Sequence, residues 1–129
     1  MRMDSLMGQL NFQGGLMPVI IVEADGQALT LCYMDQEALR KTLETGQVHV
    51  FRRSQGRVML KGETSGHTQR VKDVRVDCEG KSLMMVVEQK VAACHAGYRT
   101  CYYRRYHPNQ DRLEVCERRV FEPDEVYGP

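Results

Sequence analysis

The chain has 129 residues, 42% of them apolar and 27% charged, a profile of one folded domain rather than a disordered or low-complexity segment. Its 18 Lys and Arg against 17 Asp and Glu leave a net charge of +1, which excludes a strongly basic, general nucleic-acid binder. No apolar run approaches the roughly 20 residues needed to span a bilayer, and the N-terminal stretch has no signal-peptide core, so a cytoplasmic protein without a membrane partner is expected.

In chain order, residues 1–15 read as a loose or partner-docked arm ending in Gly14-Gly15, and residues 16–129 as a single domain. Pro18 to Glu23 is a continuous apolar strand, Asp25-Gly26 a hairpin turn, and Gln27 to Tyr33 the returning strand. Asp35 stands at a helix N-cap, Ala38, Leu39, Thr42 and Leu43 share one helical face, and Gly46 ends the helix. Val48–Phe51 and Arg57–Leu60 are strands around a Ser54-Gln55-Gly56 turn. Val71–Val76, with Val71, Val74 and Val76 packed, and Ser82–Glu88 are strands joined at Glu79-Gly80. Cys101–Tyr106 and Arg112–Phe121 make a last hairpin, and residues 122–129 an extended tail. Residues 61–66 and 91–100 are left as polar loops. This predicts an α+β domain, rich in antiparallel sheet, with one main helix. Uncovered sheet edges make dimerisation plausible.

Positive charge is concentrated at Arg52, Arg53, Arg57, Lys61 and Arg70, and again at Arg99, Arg104 and Arg105. Such clusters suit a small phosphorylated ligand, though each Arg also fits an ordinary solvated strand face. The loop Lys61-Gly62-Glu63-Thr64-Ser65-Gly66 has two glycines that let backbone N–H groups approach an anion.

Five cysteines, an odd number, argue against a disulfide framework. Cys32 and Cys116 lie in apolar strand patterns and read as packed thiols. Cys78, Cys94 and Cys101 stand apart: three thiolates with an open fourth position would make a catalytic zinc site, although their spacing matches no short zinc-finger pattern and packed thiols remain the alternative. His95 is the best general acid–base candidate, with His67 the second; a Cys94–His95 nucleophile pair is disfavoured because adjacent extended residues point apart. His49 and His107 read as structural or exposed. Asp77 and Glu79 could hold a hard cation, or form a polar turn.

With these residues in view, the chain resembles the phosphoribosyl-AMP cyclohydrolase family. The likeness runs from about Pro18 to Tyr103. It is carried by Tyr33-Met34, Glu37-Ala38-Leu39, Thr42–Gly46, Arg52-Arg53-Ser54, Lys61–Gly66, Gln69-Arg70-Val71, Asp77-Cys78, Val87-Glu88-Gln89, Ala93-Cys94-His95, Gly97 and Cys101, with an echo in Phe121–Tyr127. The resemblance implies a zinc-dependent, intertwined homodimer with active sites at the subunit interface. Its reaction would open the six-membered ring of the adenine in N1-(5-phosphoribosyl)-AMP by adding water, a step of histidine biosynthesis. It implies that Cys78 joins the partner chain's Cys94 and Cys101 on zinc, that His95, or His67, moves protons, and that Arg52, Lys61, Ser65 and Arg99 hold phosphates or ribose.

Departures gather at the site. The family's Asp-Cys-Asp-x-Asp, a magnesium-binding run, reads Asp77-Cys78-Glu79-Gly80-Lys81 here, so magnesium at Asp77 and Glu79 is doubtful: Lys81 is expected either to supply that positive charge itself or to point into solvent. Within Cys94-His95-Ala96-Gly97-Tyr98-Arg99-Thr100-Cys101, Ala96 replaces a threonine and Tyr98 an arginine, which suits stacking or a single hydrogen bond to substrate in place of a guanidinium fork. The alternatives are a paralogue that hydrolyses another purine-like or amidine-containing heterocycle, and a noncatalytic metal- or nucleotide-binding protein.

Overall fold

The computed structural model describes residues 3–129. Its elements are α1 (Asp4–Met7), β1 (Met17–Glu23), β2 (Ala28–Met34), α2 (Gln36–Thr45), β3 (His49–Arg52), β4 (Arg57–Leu60), β5 (Gln69–Val76), β6 (Leu83–Gln89), β7 (Arg104–His107), β8 (Arg112–Val115) and α3 (Pro123–Tyr127). The centre is a four-stranded sheet in the order β2-β1-β6-β5; β3–β4 and β7–β8 are separate two-stranded ribbons. The expected α+β class, rich in antiparallel pairing, is present.

The continuous apolar run of β1 makes it a central strand, paired with β2 on one side and β6 on the other. The β1–β6 pairing is parallel, which the hairpin pattern of the sequence did not foretell. Met17, Val19 and Ile21 of β1 and Leu83, Met85 and Val87 of β6 alternate onto one face and are buried there. That face is covered by Ala38 and Leu39 of α2 and by Val48 and Val50 beside and within β3.

The helix α2 starts where its cap chemistry places it. The Asp35 carboxylate accepts the Ala38 N–H at 2.7 Å, and Gly46, at φ 77°, returns its N–H to the Thr42 carbonyl. Thr42 is fully buried yet satisfied: its hydroxyl donates to the Ala38 carbonyl at 2.8 Å and accepts the His49 N–H at 2.9 Å. This stitches helix to β3 and directs the ribbon toward the functional end of the sheet.

Four expectations are corrected. Among the described residues of the N-terminal segment, Leu6, Met7, Leu10 and Phe12 pack against this chain's own core; Met1 and Arg2 of that predicted arm lie outside the described residues. Val76 is exposed: the register irregularity between Val71 and Asp73 lets Val71 and Val74 share the packed face, but Val76 ends the edge strand β5 and is left uncovered there. The last hairpin ends at Val115 instead of Phe121, which leaves Cys116 exposed. The expected extended tail contains α3, a single turn of helix with Pro123 in its first turn and Asp124 and Glu125 beside it.

Candidate functional site

A cleft of about 630 Å³ opens between β2, the β3–β4 ribbon, the 61–66 loop and the 92–101 segment. That is the size of a nucleotide-scale ligand pocket. Its floor comes from β2, which presents Thr30, Leu31, Cys32 and Tyr33. Arg52, Arg53, Lys61, Ser65, His67, His95 and Cys101 surround it.

The 61–66 loop is shaped by Gly62. At φ 89°, a Cβ there would lie 2.5 Å from the His67 carbonyl oxygen, so the chain doubles back on itself only because the side chain is absent. Gly66 donates to the Gly62 carbonyl at 2.7 Å, and the Ser65 hydroxyl accepts the His67 N–H at 3.1 Å. Lys61 reaches across and donates from Nζ to the Ala93 carbonyl at 3.2 Å, tying the two polar loops together. His67 stands edge-on to Phe121, with ring centroids 4.8 Å apart. Desolvation, reinforced by the charges of Lys90 and Lys61, holds its imidazole below the usual histidine range. It is therefore neutral at pH 7 and able to accept a proton.

The 93–101 loop is a tight reversal: Ala93 N–H donates to the Arg99 carbonyl and Cys94 N–H to the Tyr98 carbonyl. Cys101 N–H donates to the Leu29 carbonyl at 2.7 Å, and the Thr100 hydroxyl to the Ala28 carbonyl at 2.7 Å, anchoring the loop on β2. These bonds bring the Cys94 and Cys101 thiols together. Burial raises the Cys101 thiol above its ordinary range; a hydrogen bond from Thr30 opposes this, Cys94 adds to it, and Lys61 opposes it. Ala96 N–H donates to Cys94 Sγ at 3.4 Å. Two adjacent thiols, one of them already accepting a backbone N–H, are a donor set that a soft divalent cation fits.

Cys78 is elsewhere. It follows β5 at the end of the sheet where Val76 pairs with Leu83, whereas the thiol pair lies beyond Gln89 at the other end of β6. Seven residues of strand separate the two ends, about 20 Å at roughly 3.3 Å per residue. Among the described residues no group of three His, Cys, Asp or Glu side chains within one chain is placed to hold a metal.

Other sequence-derived candidates divide clearly. Arg99 and Tyr98 do not line the cleft. The Arg99 guanidinium pairs with Glu23 at 3.0 Å and donates to Gln27 at 3.2 Å, while Tyr98 stacks on Tyr103 at 3.9 Å with an 8° interplanar angle. Asp77 and Glu79 lie with Cys78 at the far end of the sheet; hydrogen bonds from the Ser82 hydroxyl foremost, then from the backbone of Lys81, Glu79 and Gly80, hold the Asp77 carboxyl below the usual carboxylate range. Cys32 lines the cleft, but burial pushes its thiol up to about 12 and it donates to the Val19 carbonyl, so it is a packed thiol as expected. Arg53 of the basic cluster lies over the Tyr33 ring, 4.1 Å from its centroid, and Tyr127 of α3, which spacing did not single out, closes one wall. The Phe121–Tyr127 echo was the available signal for the latter.

Comparison with known proteins agrees with this picture. The family model described as phosphoribosyl-AMP cyclohydrolase matches residues 30–103. The phosphoribosyl-AMP cyclohydrolase of Methanothermobacter thermautotrophicus is 50% identical over 103 residues, covering 80% of this chain and 75% of the relative. That of Nitratidesulfovibrio vulgaris is 47% identical over 116 residues, covering 88% and 90%. The histidine biosynthesis bifunctional protein HisIE of Pyrococcus furiosus is 46% identical over 107 residues, 81% of this chain and 51% of that protein. A cleft with paired thiols and neutral imidazole in a chain so related is that of a cyclic amidine hydrolase. The chain belongs to the phosphoribosyl-AMP cyclohydrolase family.

Proposed function

We propose that the chain hydrolyses N1-(5-phosphoribosyl)-AMP as a zinc-dependent homodimer, the ring-opening step of histidine biosynthesis that its relatives are named for. Each active site draws Cys94 and Cys101 from one copy and Cys78 from the other. The observation that carries the reading is the separation of these thiols: two meet at the cleft while the third sits a full strand length away, so one copy alone leaves the donor set incomplete. A second copy that turns the sheet end for end closes that gap. The outer face of the sheet supplies a surface for it. Ile20 there pairs with both Leu31 and Met84, and Leu31 is 46% and Met84 38% exposed.

Zinc on the three thiolates would make a water acidic enough to attack near neutral pH and leave one position open for it. The protein's own groups do the rest. Arg52, Lys61 and Ser65 hold the phosphate-bearing arms along the cleft, with Arg53 stacked on Tyr33 beside them. As the water oxygen bonds to the amidine carbon and the ring C–N bond opens, neutral His67 accepts a proton and His95, at the cleft rim, delivers one to the departing nitrogen.

The test is complementation. Cys78→Ala and Cys101→Ala variants are each expected to lose phosphoribosyl-AMP hydrolysis and zinc. A refolded equimolar mixture should recover roughly a quarter of the sites, because half the dimers are mixed and each mixed dimer keeps one intact site. Recovery of nothing, with both variants folded, sinks the shared site. Zinc-loaded wild-type protein that leaves phosphoribosyl-AMP unchanged redirects the search to other amidine-containing heterocycles.

A further inference from the structure

The resemblance implies a second metal, magnesium, on the loop that carries Cys78, and that loop does not fit it. Asp77 Oδ1 accepts the backbone N–H groups of Glu79 at 3.0 Å and Lys81 at 2.9 Å, while Oδ2 accepts the Ser82 hydroxyl at 2.6 Å. Glu79 Oε2 lies 3.0 Å from Lys81 Nζ. The loop tip is locked from behind as well. Asn11 N–H donates to the Gly80 carbonyl at 2.8 Å, and a Cβ on Gly80 would lie 2.0 Å from the Gln9 carbonyl oxygen. Magnesium asks for near-ideal octahedral oxygen ligands. One carboxylate here is committed to closing the turn, the other already carries a cation, and an ammonium repels a metal instead of ligating it.

We infer that Lys81 is the resident cation of this loop: Glu79 holds its ammonium in place, the loop binds no divalent ion, and in the two-copy site the ammonium meets a phosphate of the substrate. The encounter with substrate rests on the two-copy reading above; the exclusion of a divalent ion does not. The loop travels with Cys78, so whatever brings that thiol to the partner's cleft brings Lys81 with it. A charge on a side chain needs no dissociable ion, and activity is then independent of magnesium.

Manganese, a paramagnetic stand-in for magnesium, is titrated into zinc-loaded protein and the free ion is followed by electron paramagnetic resonance. Wild-type protein should leave manganese free into the millimolar range, and Lys81→Asp should gain a saturable site that magnesium competes for. A saturable site in the wild type that Glu79→Gln removes would overturn the proposal. Lys81→Gln should raise KM for phosphoribosyl-AMP about tenfold at low salt with kcat little changed, as for the loss of one phosphate-pairing charge. An unchanged KM at low salt would remove Lys81 from the substrate. If wild-type protein itself does not act on phosphoribosyl-AMP, the functional reading fails, while the manganese titration still decides whether the loop takes a divalent ion.

Discussion

At the residue scale, the two histidines of the cleft differ in setting. His67 lies against Phe121, with Lys61 and Lys90 opposing a positive charge on it, while His95 is exposed. The folded protein therefore binds a proton at His67 less readily than the unfolded chain does. By linkage, stability rises with pH through the window between the lowered value and 6.5, and this contribution is complete above it. Proton NMR of the His67 ring should show a titration midpoint below 6.5, and Lys90→Ala should move it upward. A midpoint unmoved by Lys90→Ala would mean that burial alone sets it.

At the scale of elements, the 93–101 loop is held by more than its own backbone. Glu23 at the end of β1 is only 16% exposed and serves two partners. It pairs with Arg99 at 3.0 Å and accepts the Gln89 N–H at 3.1 Å. Arg99 thus clamps the thiol-bearing loop to the sheet, a positioning role beside the substrate contact that the resemblance led one to expect. Arg99→Ala should lower stability by about 1–2 kcal/mol in urea titration, because Glu23 loses its charged partner. On the proposed reading it should also weaken zinc binding, because the loop that carries Cys94 and Cys101 is then held less firmly on the sheet. Unchanged zinc affinity with a raised KM would return Arg99 to the substrate. The contrast shows which features the sequence made legible. Helix α2 was readable because Asp35, the apolar face and Gly46 are local signals and all agree. The two polar loops were readable as site material from composition alone. Whether an arginine in such a loop faces a ligand or a buried glutamate depends on Glu23, far away in sequence, and no local pattern carries that. The helix α3 was legible in principle, since Glu122-Pro123-Asp124-Glu125 has the proline and acidic first turn of a helix start.

At the scale of the whole molecule, the sheet covers one face with α2 and β3 and leaves apolar side chains on the other. On the proposed two-copy reading, Met84→Asp, outside the cleft, should shift the protein from dimer to monomer by light scattering, and lower its zinc content, since each site would lose its third thiol. A stable dimer with full zinc would place the contact on another surface. The hairpin β7–β8 is one such candidate, with Leu113 and Val115 exposed. The three thiols were legible as a set from sequence, but their division between sheet ends required the topology, because spacing along a chain says nothing about which end of a strand each residue reaches.

The parallel pairing of β1 with β6 also governs how the molecule is made. Val19 meets Leu83 and Ile21 meets Met85, so the two central strands come from opposite halves of the chain. The hairpin of β1 with β2 can close early, but its second edge stays unsatisfied until β6 has been synthesised. Such long-range closure slows folding and leaves an apolar strand edge open during translation. Nascent chains of this protein are therefore at greatest risk of aggregation in the interval between synthesis of β2 and synthesis of β6.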